Sequence, residues 1–120
     1  MDKDIKNRLK ILYEGDQIDK EIKEVVNKSL KMLETEYDLQ LTEDNAAKFV
    51  THLAMALMRI KNGEEVEGLN EVALQEVKQE EGYDFSLEFS KFIEDEVGLD
   101  IPGSEKGYIA LHICNLINQS

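Results

Sequence analysis

The chain has one cysteine, one proline, two histidines and no tryptophan in 120 residues. A single thiol, Cys114, excludes an internal disulfide and points to a reducing cytosol. A lone proline leaves long helical stretches unbroken. No apolar run approaches the roughly 18 residues of a membrane-spanning helix, and Met1-Asp2-Lys3-Asp4 does not open a signal peptide. The expected setting is therefore the cytoplasm, away from any membrane. Basic residues are also in short supply: 14 against 26 acidic ones, for a net charge of −12. Such a surface repels phosphate backbones, so unaided binding of nucleic acid is not expected. Hydrophobic residues make up 42% and charged residues 33%, the balance of a helix-rich globule. A chain of this length makes one domain, burying roughly 65% of its unfolded surface.

Helical periodicity organises what is present. Ile18, Ile22, Val25, Val26, Leu30, Leu33 and Tyr37 have the three-and-four spacing of an amphipathic helix running from about Asp16 to Tyr37. Thr42, followed by Glu43 and Asp44, caps a second helix that reaches Lys61 and stops at Asn62-Gly63. Asn70 can cap a short third helix with Val72, Ala73 and Val77 inward, ended by Gly82. Asp84 can cap a fourth, with Phe85, Phe89, Phe92, Ile93 and Val97 inward and Gly98 closing it. Pro102-Gly103-Ser104 turns the chain into a fifth. The pattern predicts an all-α, compact five-helix bundle over residues 15–120. Residues 1–14, with Ile5, Leu9, Ile11 and Leu12, read either as an extra turn or as a frayed lead-in. Glu64-Glu65 and Glu80-Glu81 mark exposed corners.

Both histidines lie on helices. At 100° per residue His52 falls at the shoulder of the second helix's apolar stripe, and Arg59 returns to nearly the same azimuth about 10 Å further along. The fifth helix is apolar almost all round, through Tyr108, Ile109, Leu111, Ile113, Cys114, Leu116 and Ile117. Such a helix either fills the centre of a bundle or forms a subunit interface. Its narrow polar stripe consists of Glu105, His112 and Asn115, with the Tyr108 hydroxyl nearby; Glu105 and His112 share a face. The patterns of known metal centres, hydrolase elbows and glycine-rich phosphate loops are missing, so neither an enzyme nor a metal or cofactor is expected. A neutral imidazole remains a good nucleophile near pH 7 and can accept a phosphoryl group.

Two segments carry a family resemblance. His52-Leu53-Ala54-Met55-Ala56-Leu57-Met58-Arg59, followed by Gly63, resembles the first signature of the PTS regulation domain (PRD). Glu105-Lys106-Gly107-Tyr108-Ile109-Ala110-Leu111-His112-Ile113 resembles the second, and the two histidines are 60 apart, as in that family. The likeness extends over residues 15–120. It implies a dimeric five-helix domain in a transcription-regulatory system that responds to sugar supply. His112 and His52 become the phospho-acceptors, His112 first because its motif is the more complete. Glu105 is expected to orient one nitrogen of His112, and Arg59 to hold the phosphoryl oxygens at His52. The phosphoryl donor would be the phosphotransferase system's phosphocarrier or a sugar-specific component of it. Signalling would run through the homodimer or an effector protein. The chain departs from the family by having one copy and no attached effector, and by Thr51 where many relatives have an acidic residue. The runner-up reading is a dimerisation scaffold that keeps the fold without the phosphate.

Overall fold

A computed structural model of the chain describes residues 1–119, and 1–118 with their side chains. Ser120, the last residue of the expected domain, lies outside them. Among the described residues every regular element is a helix: α1 (Lys3–Glu14), α2 (Lys20–Tyr37), α3 (Glu43–Lys61), α4 (Glu71–Val77), α5 (Tyr83–Val97) and α6 (Gly103–Gln119).

The all-α expectation stands, but with six helices in place of five. The additional one is α1, in the segment read as a lead-in. The Asp2 carboxylate accepts from the Asp4 and Ile5 amides and so caps it. Ile5 and Leu9, one turn apart, are buried in the main core, where α1 packs against α2 and α3. Twelve residues make a marginal helix alone, so this docking, more than propensity, sustains it. α2 starts later than the periodicity indicated. Asp16 takes a left-handed backbone conformation, and Asp19 caps the helix through the Ile22 amide.

α3 matches its expected bounds, with a reciprocal capping box between Thr42 and Asn45. α4 is rotated from expectation: Val72 is exposed, whereas Val77 is buried and Leu74 half-buried. Asn70 does cap α4, and positions 73, 74 and 77 form the inner face, which puts Val72 outside. α5 is entered through Gly82 at φ 96°, so Asp84 stands in the first turn instead of capping it.

α6 packs against α3, α4 and α5. Ile109, Ile113 and Leu116 enter the main core, while Ala110 and Cys114 form a separate small cluster with Val77 of α4. Burial on two sides accounts for its apolar circumference within one chain. The polar stripe is not uniformly wet: Asn115 is exposed and His112 half-buried, but Glu105 is 0% exposed.

Candidate functional site

The seam between α3 and α6 carries both histidines. The His52 side chain is 32% exposed, and its Nε2 lies 2.7 Å from Glu105 Oε1. The other carboxylate oxygen, Oε2, is buried without a hydrogen-bond partner among the described residues. A buried carboxylate is costly unless paired, so the imidazole is its main compensation. This corrects the assignment of Glu105 to His112. Seven residues on one helix share an azimuth but stand about 10 Å apart along the axis, too far for direct contact. The neighbouring helix brings His52 into that reach instead.

Tyr108, one turn after Glu105, joins the two histidines. Its ring centroid is 3.9 Å from that of His52 and 4.5 Å from that of His112. His112 also stacks on Phe49 of α3, at 5.2 Å with 16° between the planes. Burial, and secondarily the neighbouring His52, lower the His112 pKa from its ordinary value. His112 is therefore neutral at pH 7, the form with a free nitrogen lone pair.

The histidines open onto different clefts. His52 lines one of about 420 Å³ with Met55, Arg59, Tyr108 and the residues 65–68 segment. His112 lines one of about 370 Å³ with Asn115, Phe49, Lys48 and the acidic first turn of α3. Four of the expected site residues thus gather around His52: the histidine itself, Arg59, Tyr108 and Glu105 beneath it. Asn115 accompanies His112. Sequence reasoning missed Phe49, although its place three residues before His52 set it on an adjoining face of α3. It also missed Arg8 of α1, which donates to the Thr51 hydroxyl at 3.1 Å and pairs with the Glu43 carboxylate. Thr51 is thereby tied to α1. Among the described residues no three His, Cys, Asp or Glu side chains group as metal ligands, and no helix is long and apolar enough to cross a membrane.

The PRD domain family model matches residues 27–116, which includes both histidines and the cleft around each. The chain belongs to the PRD domain family, and a PRD domain is a PTS regulation domain. The match begins inside α2, so α1 lies outside it. The chain is also similar to the Uncharacterized protein YhfY of Escherichia coli (strain K12), at 30% identity over 112 residues and 93% of each chain. No solved structure matches it.

Proposed function

We propose that this PRD domain is a phosphorylation-responsive module of transcriptional regulation, taking a phosphoryl group on histidine from a phosphotransferase-system phosphocarrier or sugar-specific component. The observation that carries the reading is the packing of both imidazoles on Tyr108 at the α3–α6 seam, each beside its own cleft. Charge added at either ring bears on α6, which carries Tyr108.

At His52, a Glu105 carboxylate that accepts from Nε2–H fixes the tautomer and leaves the Nδ1 lone pair for attack. That nitrogen forms a bond to phosphorus as the donor's own nitrogen–phosphorus bond breaks, and the bonding pair returns to the donor's imidazole. Arg59 suits the transferred oxygens, because a guanidinium can bind two of them at once. At His112 the lowered pKa supplies the neutral ring, and Lys48 and Asn115 flank the cleft. Since Glu105 orients His52, His52 is the better prepared acceptor. The added phosphate brings up to two negative charges and shifts the balance of a homodimer, or of a complex with an effector protein, in the cytoplasm. With a charge of −12, the domain acts through protein partners and not by touching RNA or DNA.

The test is incubation with a phosphoenolpyruvate-driven phosphocarrier relay. An acid-labile phosphate should appear, with His52→Ala removing the larger share and the His52→Ala/His112→Ala pair removing all of it. A chain that stays unlabelled while another PRD domain is labelled in parallel would return the dimerisation scaffold as the better reading.

A further inference from the structure

Between α3 and α4 the backbone over residues 64–70 is neither helix nor strand. This strap forms one wall of the His52 cleft through Glu65, Val66, Glu67 and Gly68. Its far end is fastened to the first turn of α6, where the Leu69 amide donates to the Ser104 carbonyl at 2.9 Å. The approach is so close that a Cβ on Gly68 would stand 2.3 Å from the Ser104 carbonyl carbon. The next residue is Glu105, so the strap is clamped at the turn that carries the buried carboxylate.

Behind the strap, α4 packs on α6. The cluster between them has three buried residues, Val77, Ala110 and Cys114, with Leu69 and Leu74 against it. The main core has 22 among the described residues. Opening free energy follows buried apolar contact, so the strap and α4 form the more easily released unit.

We propose that a phosphoryl group on His52 releases the strap and α4 from α6 and uncovers the cluster around Cys114. The inference rests on the acceptor reading of His52. The phosphate enters a cleft with Glu65 and Glu67 on its strap wall, Glu105 beneath, and Arg59 on the α3 side. Arg59 draws the phosphate toward α3, while like charge pushes the strap away. The response is therefore directional: α3 keeps its place in the main core and the weakly held wall moves.

Cys114 supplies the readout. It is 2% exposed, and burial raises its pKa above the ordinary thiol value, so the closed state reacts slowly. Phosphoramidate serves as a small donor: its nitrogen–phosphorus bond breaks as the histidine–phosphorus bond forms, and ammonia leaves. In His112→Gln protein, phosphate on His52 should speed reaction of Cys114 with an aromatic disulfide at least tenfold. Amide exchange protection should fall in residues 64–77 and hold in α2 and α5. His52→Gln protein, phosphorylated on His112, should show no such acceleration. Glu65→Gln/Glu67→Gln protein, compared at equal phosphate occupancy of His52, should lose most of the acceleration. Should His112→Gln not fold, the wild-type chain with its phosphate located by fragmentation gives the same reading. Phosphate on His52 with unchanged thiol rate and protection would overturn strap release and leave the acceptor reading intact. Failure of His52 to take phosphate at all would remove both.

Discussion

His52 and His112 both pack against the same tyrosine ring, yet different forces hold them. His52 is anchored by a hydrogen bond to a fully buried carboxylate; His112 is anchored by stacking on Phe49 and Tyr108. An ionic or strongly polar partner fixes ring orientation and tautomer, whereas stacking fixes the ring plane and leaves the nitrogens to their surroundings. The first arrangement engages Nε2 and leaves Nδ1 free of the carboxylate. Around His112 it is burial, and secondarily the neighbouring His52, that lowers the pKa and favours the neutral ring. The two rings are held in place by separate physical routes, and that difference can be probed from either side.

The largest effect should come from removing the polar anchor. His52→Ala leaves Glu105 with both oxygens unpaired; because His52 is 32% exposed, water reaches part of the gap and the cost is about 2 kcal/mol. Urea denaturation measures this as a lower midpoint at unchanged slope. Adding Glu105→Gln to that variant should recover about 1.5 kcal/mol, because a neutral amide is less costly to bury than a carboxylate. Equal midpoints for the single and double variants would show that Glu105 does not depend on His52.

That dependence was not legible in the sequence, although much around it was. Thr42 and the run of apolar positions after it marked the start of α3 and placed its end at about Lys61, since capping and periodicity are local. Both histidines, Arg59 and Tyr108 could be singled out from two short segments. Contacts between helices are a different matter. Glu105 and His52 are 53 residues apart, and a helical wheel carries no information about which neighbour meets a given face. α1 was obscured for a related reason: Ile5 and Leu9 had the right spacing, but the 60% exposed Ile11 blurred the stripe, and the surface that stabilises α1 belongs to α2 and α3. Val72 was misplaced although Asn70 was read correctly as the cap, because a seven-residue helix shows too little periodicity to define its buried face.

A smaller loss is expected on the stacking side. His112→Ala removes two aromatic contacts without exposing an unpaired charge, and should cost about 1.5 kcal/mol. Phe49→Leu should keep much of the buried volume while abolishing the stack with His112. Its loss should therefore overlap with that of His112→Ala, and the double variant should fall short of the sum of the two singles. Additive losses, read from denaturation midpoints, would mean that the ring contact at 5.2 Å contributes no specific coupling.

The smallest expected effect is the pH dependence of the same ring. Burial lowers the His112 pKa in the folded chain, with His52 adding to the shift. The unfolded chain, with a histidine pKa of about 6.5, then binds more protons than the folded one as pH drops below that value. The His112 contribution to stability is full above about pH 6.5 and is lost progressively as pH falls toward the lower folded-state value. Other groups titrate over the same interval, so the informative quantity is the difference between wild-type and His112→Gln protein. That difference should change between pH 7.5 and pH 5.5 in the direction of a relative gain for the variant on acidification, because glutamine acquires no charge. A difference that stays constant across this interval would place His112 in the same protonation balance folded and unfolded, and would remove the basis for its standing neutrality in the fold.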